Sequence, residues 1–196
     1  MLAALFFISS VSVGESNDGN WYKDQELGVS FYYMGEMVPT ETIMPTTKFA
    51  VNWLSSPSGH LIASCFLSSD GPIPVAAEKA RTDMLLDIDR SSEIWANAMR
   101  KKGNVEITEY RPVKIDGIDA LYIVANIEQE NLEMVTTLKY YTLWTYWRHS
   151  RISLNCATSI HKDNLAEMSP QMAEETTKKV EGVIISTLRT LRFHLK

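Results

Sequence analysis

The amino-acid sequence predicts an α+β fold, an α/β/α sandwich in which an antiparallel sheet of about seven strands is flanked by helices on both faces. Two observations support this prediction. Strand-like segments occur in runs, with one long helical stretch after the first run and one helix after the second. In addition, residues 118–128 are apolar at both odd and even positions, so both faces of that strand require a cover.

The composition is that of an ordinary globular domain. The chain has 196 residues, 45% hydrophobic and 22% charged. A chain of this length can bury a stable core without disulfides or bound metal ions. It carries 19 Lys and Arg residues against 24 Asp and Glu residues, a net charge of -5. Because nucleic-acid binding relies on neutralising phosphates with Lys and Arg, no nucleic-acid partner is expected.

The chain begins with an apolar segment that has the pattern of a secretory signal peptide. Residues 2–13 read LAALFFISSVSV, which is shorter than the ~20 residues of a membrane span and leads into Gly14 and Ser16. We therefore expect a signal-peptide-like segment over residues 1–16 and a single domain over residues 28–196. The mature protein is then periplasmic or secreted, without an integral membrane segment. No Lys or Arg precedes the apolar run, and a buried N-terminal strand or helix is the alternative.

Three strands are predicted in the first part of the domain. Residues 28–33, GVSFYY, are rich in β-branched and aromatic side chains and predict the first strand. The two prolines and the glycine of residues 34–46 predict a loop. Residues 48–54 and 60–68 predict a hairpin, because turn-forming residues separate two strand-like runs.

Helical periodicity replaces strand character from Val75 onwards. Apolar residues recur at helical spacing as far as Met99, and the cations that follow, together with Gly103, are typical of a helix end. Serine is a mediocre helix former, so the sequence leaves open whether Ser91 and Ser92 divide this stretch into two helices.

A four-stranded meander is predicted next. Asp116 and Gly117 separate two apolar runs, and Asp-Gly suits a two-residue hairpin turn. The third strand of the meander is long and rich in aromatic residues. The four predicted strands are residues 105–115, 118–128, 132–147 and 151–160.

The last predicted element is an amphipathic helix of about 24 residues. Ser169 and Pro170 have the chemistry of a helix start, as N-cap and first helical residue. Its apolar stripe ends at Leu191, and Arg189 and Arg192 lie near the negative end of the helix dipole.

This order of elements resembles the PsbP/DcrB-like superfamily. The resemblance rests on the signal-peptide-like segment, the run GVSFYYM, the hairpins, the sequence IDGIDALYIVANI, the aromatic strand and the last helix. It extends over residues 28–193. The resemblance implies a small exported sandwich protein, and members are mostly non-catalytic accessory proteins. It assigns no metal-binding or partner-binding residue here, because no matching motif is present.

The sequence contains no catalytic or metal-binding motif. Its four histidines lie at none of the spacings that zinc sites use, and calcium loops, phosphate-binding loops, dinucleotide fingerprints and serine elbows are absent. We therefore expect no catalytic residue, no cofactor and no metal, and a protein that is not an enzyme.

Cys65 and Cys156 both fall on predicted strands. The nearest histidines lie an odd number of residues away, on the opposite face of a regular strand, which disfavours a thiol nucleophile. A disulfide between the two cysteines is an alternative, because exported proteins often contain such bonds. It requires neighbouring strands, and two separately buried thiols are the preferred interpretation.

The aromatic strand and the turn after it supply a candidate ligand or partner surface. Tyr and Trp combine apolar area with a polar tip, and Arg binds carboxylates and phosphates. The alternative is that the rings belong to the core and that the turn is merely solvated. The six candidate residues are Tyr140, Trp144, Tyr146, Trp147, Arg148 and Arg151.

The function expected from the sequence is that of an exported, non-enzymatic accessory or binding protein of the cell envelope. Its partner is an unidentified protein or small ligand. Two other classes stay open, a secreted interaction or inhibitor protein and a small hydrolase. An exposed apolar patch on the sheet favours binding, whereas a Cys or Ser within hydrogen-bond reach of a His in a cleft favours the hydrolase.

Overall fold

The structure of the chain is a computed structural model that describes residues 20–42, 44–54, 61–131, 134–158 and 169–194. The predicted signal-peptide-like segment, residues 1–16, lies outside the described residues. The elements in chain order are β1 (Asn20–Asp24), β2 (Val29–Tyr33), β3 (Met37–Thr40), β4 (Thr47–Leu54), β5 (Leu61–Asp70), α1 (Val75–Leu86), α2 (Ile88–Met99), β6 (Asn104–Ile115), β7 (Ile118–Asn131), β8 (Met134–Trp147), β9 (Ser150–Thr158), α3 (Pro170–Arg189) and β10 (Arg192–Phe193).

The main sheet is antiparallel and contains seven strands in the spatial order β3-β4-β5-β9-β8-β7-β6. Strands β6 to β9 form the predicted meander, and β5 of the early hairpin pairs with β9. A second sheet has the order β1-β2-β10 and joins the two ends of the described fold. The predicted fold class is confirmed, while the three-stranded sheet was not predicted.

A buried core lies on each face of the main sheet. Helices α1 and α2 cover one cluster, which contains Leu121 and Trp144. Helix α3 and the three-stranded sheet cover the other cluster, which contains Phe31, Leu154 and Ile184. Alternate side chains of β7 and β8 enter the two clusters, so these strands are buried on both faces as their sequences predict.

The helical stretch after β5 is divided at Asp87, and not at the serines. Asp87 ends α1, and its carboxylate accepts a hydrogen bond from the backbone N–H of Arg90 (3.3 Å), which caps α2. Ser91 is fully buried inside α2, and its hydroxyl lies 2.6 Å from the carbonyl oxygen of Met84. The break between α1 and α2 is therefore stabilised by the Asp87 cap and by the hydrogen bond from Ser91 of α2 back to α1.

Helix α3 begins as predicted, with Ser169 accepting a hydrogen bond from the backbone N–H of Met172 (3.3 Å). It has 20 residues, fewer than expected, because the chain turns at Thr190. The Thr190 hydroxyl accepts a hydrogen bond from the backbone N–H of Tyr32 (2.8 Å), which fixes the end of α3 against β2. The chain then enters β10. Met172 is 57% exposed, so the buried stripe begins further along the helix at Val180.

Besides β10, two short strands lie where the sequence predicts none. Strand β1 precedes the predicted domain boundary at residue 28 and is held against β2 by aromatic pairs, such as Tyr22 with Phe31, whose ring centroids lie 5.6 Å apart. Strand β3 contains Pro39, which indicated a loop. It is an edge strand, where a missing backbone N–H is tolerated. Both strands exist because a partner strand is available.

Cys65 of β5 and Cys156 of β9 lie opposite each other in register and form a disulfide, with their Cα atoms 4.0 Å apart. Both residues are fully buried on the α3 side of the main sheet. The preferred interpretation of two separate thiols is therefore wrong for this structure. The pairing of β5 with β9 places the sulfurs together, and no thiol is left free.

Among the described helices, none is both long enough and apolar enough to cross a bilayer.

Candidate functional site

A groove of about 600 Å³ lies between α3 and strands β6 and β7, and we call it the α3 groove. Its volume lies within the range of about 300–1,000 Å³ that is usual for small-molecule sites. Apolar side chains from both sides line it. They are Val113, Ile115, Leu143, Ile185 and Leu188.

Charged side chains also line the α3 groove. Four are cationic, namely Arg111, Lys114, Arg189 and Arg192. Two are carboxylates, Glu109 and Asp116. The cations are therefore in excess at this site, although the whole chain has a net charge of -5.

Strand and helix periodicity explain why these residues share one groove. Along β6, alternate residues from Glu109 to Ile115 line it, because side chains two apart lie on the same face of a strand. Along α3 and its end, Ile185, Leu188 and Arg189 fall on one helical face at spacings of three and four. The two patterns are local, and the fold brings them together.

Most of the charged groups already have partners within the protein. Arg111 Nε lies 2.9 Å from Glu109 Oε1. Lys114 Nζ lies 2.6 Å from the carboxylate of Asp119. Arg192 donates to the carbonyl oxygens of Arg189 (2.9 Å) and Leu191 (2.8 Å) at the end of α3.

Arg189 differs from Arg111 and Lys114, the two cations of the groove that form ion pairs. Its guanidinium is exposed and makes no ion pair within the described part of the chain. Asp116, by contrast, accepts a hydrogen bond from the backbone N–H of Phe193 (2.9 Å), which anchors β10. The charge that no carboxylate of the described residues balances is therefore positive, and it belongs to Arg189 and to Arg192, which donates only to backbone carbonyl oxygens.

Tyr122 adds a phenol to the same groove. The Arg111 guanidinium lies over its ring, 4.9 Å from the centroid. Burial raises the pKa of Tyr122, the Glu109 carboxylate raises it further, and the charges of Arg111 and Arg189 oppose these effects. The phenol is therefore protonated at neutral pH and can donate a hydrogen bond, and both guanidinium charges act on it.

Three of the six predicted surface residues do not form an open surface. Tyr140, Trp144 and Tyr146 are 7%, 4% and 6% exposed and pack in the core beneath α1 and α2. They share a face as predicted, but two helices cover that face. Their prediction as surface residues is corrected by this burial.

Trp147 and Arg148 hold the ends of the fold together. Trp147 Nε1 donates to the carbonyl oxygen of Leu27 (3.0 Å), and the Arg148 guanidinium donates to the carbonyl oxygen of His194 (2.6 Å). Gly28 has a φ of 65°, a left-handed conformation that favours glycine, and a Cβ atom there would displace the Arg148 guanidinium, whose Nη1 would lie 2.5 Å from it. The guanidinium is thus occupied by backbone carbonyls rather than open to an anion.

Arg151 lies away from Arg148, on the α2 side of the sheet. It forms an ion pair with Asp70 and lies over the ring of Trp144, 6.0 Å from the centroid. Together with Asn155 these residues line a second groove of about 220 Å³ beside α2. The structure therefore brings together Trp144 and Arg151 but separates them from Trp147 and Arg148.

One serine lies within hydrogen-bond reach of a histidine. Ser30 Oγ is 2.7 Å from His194 Nε2, the separation expected for a nucleophile and its base. Ser30 is 2% exposed, however, and does not line the neighbouring groove of about 420 Å³ that His194 borders. A substrate cannot reach the hydroxyl in this arrangement, so the pair links β2 to the end of the chain.

The sequence does not reveal the α3 groove. The helix dipole accounts for Arg189 and Arg192, and the pattern of β6 indicates only a strand. Nothing in a single sequence relates Arg111 to a helix that begins almost sixty residues later, at Pro170. In the described residues no group of three or more His, Cys, Asp and Glu side chains could hold a metal.

Solved structures resemble the chain over most of its length, although no protein-family model and no curated protein sequence matches it. Cyanobacterial PsbP (CyanoP) from Synechocystis has a TM-score of 0.51 at 11% identity, over 98% of this chain and 99% of that protein. The Ran-binding protein Mog1p of Saccharomyces cerevisiae has a TM-score of 0.56 at 6% identity, with coverages of 91% and 96%.

LpqN of Mycobacterium tuberculosis, which is involved in cell envelope biogenesis, has a TM-score of 0.51 at 8% identity, with coverages of 91% and 87%. At such low identities these likenesses concern the fold. The chain has a PsbP-like fold, and the resemblance predicted from its sequence is confirmed at that level.

Proposed function

We propose that the protein is an exported, non-enzymatic binding protein that holds its partner in the α3 groove and serves as an accessory factor of the cell envelope. The observation that carries the proposal is the groove itself, a cavity of about 600 Å³ with apolar lining and an excess of cations. Such sites bind by burying apolar surface and fix orientation with a few polar groups.

Two features support an extracytoplasmic location, either periplasmic or secreted. The apolar run of residues 2–13 has the length of a signal-peptide core. The Cys65–Cys156 disulfide fits an oxidising compartment, since reducing conditions in the cytosol keep most thiols free. The envelope role described for LpqN, and the binding role described for Mog1p, are precedents at the level of the fold only.

A small hydrolase is the second candidate function, because Ser30 and His194 form a hydrogen-bonded pair. The pair lacks two features of hydrolytic sites. No carboxylate of the described residues contacts the imidazole, and the serine is buried. We therefore favour binding over hydrolysis.

Export is tested on protein made with its natural upstream sequence. We expect cleavage between residues 13 and 20, because Tyr22 of β1 is already part of the packed fold. Mass spectrometry of the purified protein locates the new N-terminus. Folded protein that keeps an intact N-terminus in the cytoplasm would contradict the proposed location.

Binding in the groove is tested by site-specific photocrosslinking in intact cells. A photoreactive phenylalanine analogue at Lys114, on the groove, is expected to capture one defined partner, whereas the same residue at the exposed Arg90 of α2 is not. Both sites are exposed, so neither change disturbs the core. Equal adducts from both sites, or none from Lys114, would argue against a binding role.

Ester hydrolysis by the native protein that is lost in Ser30→Ala would favour the hydrolase.

A further inference from the structure

We infer that the α3 groove binds a small amphiphile, a molecule with an apolar body and one anionic headgroup, either a carboxylate or a phosphate. This inference rests on the proposed binding function and specifies the chemistry of the ligand. It follows from the charges of the groove, from its apolar lining and from the edge strand beside it.

The charges of the groove select an anion. Both of its carboxylates are engaged, Glu109 with Arg111 and Asp116 with the backbone N–H of Phe193. The Arg189 guanidinium has no ion-pair partner within the described residues. A carboxylate or phosphate accepts two parallel hydrogen bonds from a guanidinium, so either headgroup fits Arg189.

The position of the headgroup follows from Tyr122. The Arg111 guanidinium lies over its ring, 4.9 Å from the centroid, and Arg189 lines the same groove as Tyr122. The Arg111–Glu109 pair is exposed, with 57% and 49% of the side chains accessible, and such pairs contribute only about 0–1 kcal/mol. Only Nε of Arg111 contacts Glu109, so the other N–H groups of the guanidinium can meet a ligand anion while this pair stays formed, and the Tyr122 O–H donates to the same anion.

The lining of the groove selects an apolar body. Val113, Ile115 and Ile185 are partly buried, and each keeps apolar surface accessible in the groove. Covering such surface contributes about 25 cal/mol for each Å² removed from water. A ligand that carried only charge would leave this surface exposed.

The edge strand beside the groove disfavours an extended peptide as the ligand. β6 is the outer strand of the main sheet, and a peptide would add to its free backbone groups. Pro112 removes one backbone N–H, and a register shift lies between Ile107 and Glu109. Prolines and bulges protect edge strands against such pairing, which favours a small molecule over an acidic peptide.

Calorimetry on the mature protein tests the inference with decanoate and decyl phosphate below their micelle concentrations. We expect both to bind at least about tenfold more tightly than decanol, because a charge-assisted hydrogen bond is worth about 1.5–3 kcal/mol. Inorganic phosphate and decyltrimethylammonium are expected to bind no better than decanol. An acidic peptide, tested in parallel, is expected not to bind.

Three variants connect binding to the groove. Arg189→Gln is expected to weaken binding of both anionic amphiphiles about tenfold, and Val113→Trp to weaken it by placing a large ring in the apolar part of the groove. Arg90→Gln, the matched control on exposed α2, is expected to leave affinity unchanged. Thermal unfolding shows that each variant is folded, and Arg189 is exposed enough for its replacement to be tolerated.

Several results would overturn the inference. Decanol that binds as tightly as the anions, inorganic phosphate that binds as tightly as decyl phosphate, or an Arg189→Gln variant that keeps full affinity would each contradict it. Binding of the acidic peptide alone would replace the amphiphile with a peptide ligand. If crosslinking at Lys114 captures a protein while no amphiphile binds, the ligand class is wrong and the binding function stands. If both experiments are negative, both proposals fail.

Discussion

Loss of the Cys65–Cys156 disulfide is expected to lower the free energy of unfolding by about 4 kcal/mol. The two cysteines are 91 residues apart in sequence, and a cross-link over a loop of this length removes much of the conformational entropy of the unfolded chain. Both residues are fully buried, so the bond also lies within the packed core on the α3 side.

Urea unfolding of Cys65→Ala/Cys156→Ala beside the native protein measures this loss. Part of it comes from the sulfur volume that the substitutions remove. A reductant separates the two contributions, because it should destabilise the native protein and leave the double variant unchanged. Two titratable thiols in the unfolded, unreduced native protein would show that the bond does not form.

Leu188→Ala is expected to lower the free energy of unfolding by about 2–5 kcal/mol. Leu188 is 3% exposed and packs with Val180 and Ile184 of α3 against the main sheet. Truncating a buried leucine removes apolar contacts and leaves a cavity that the surroundings fill only in part.

Ser186→Ala is the matched control, because Ser186 lies on the exposed side of the same helix. We expect it to change the free energy of unfolding by no more than about 0.5 kcal/mol, as is usual for surface positions. A loss in Leu188→Ala as small as that of the control, in urea melts of both variants, would show that α3 does not pack as described.

Some elements could be predicted because short-range chemistry decides them. The turn at Asp116 and Gly117 is one example, since φ is 50° and 82° at these residues and the backbone twist matches the strands that it joins. The start of α3 is another, because Ser169 caps the helix through its own side chain. Neither feature requires information from distant parts of the chain.

Other elements depend on partners that are distant in sequence. β10 has only 2 residues and pairs with β2 near the opposite end of the chain, and β3 keeps its strand conformation despite Pro39. Such short strands have little intrinsic stability, and the partner strand supplies their hydrogen bonds. The sequence predicts a loop for the segment of β3 and the end of the last helix for the segment of β10.

The aromatic strand β8 shows why surface residues are hard to predict from sequence. Alternation along β8 correctly assigns Tyr140, Trp144 and Tyr146 to one face, because strand geometry has a period of two. Whether that face is a ligand surface or a core depends on what covers it. The packing of α1 and α2 decides this, and periodicity carries no information about it.

By itself, the sequence determined the fold class, the meander, the two-sided burial of β7 and the apolar stripe of α3, because periodicity and turn chemistry are local. Only the tertiary structure decided that Cys65 lies opposite Cys156 and that Arg111 and Arg189 share a groove. Both juxtapositions follow from the order of strands in the sheet and from the placement of α3 across it. These depend on the free energy of the whole packed chain and not on any one segment.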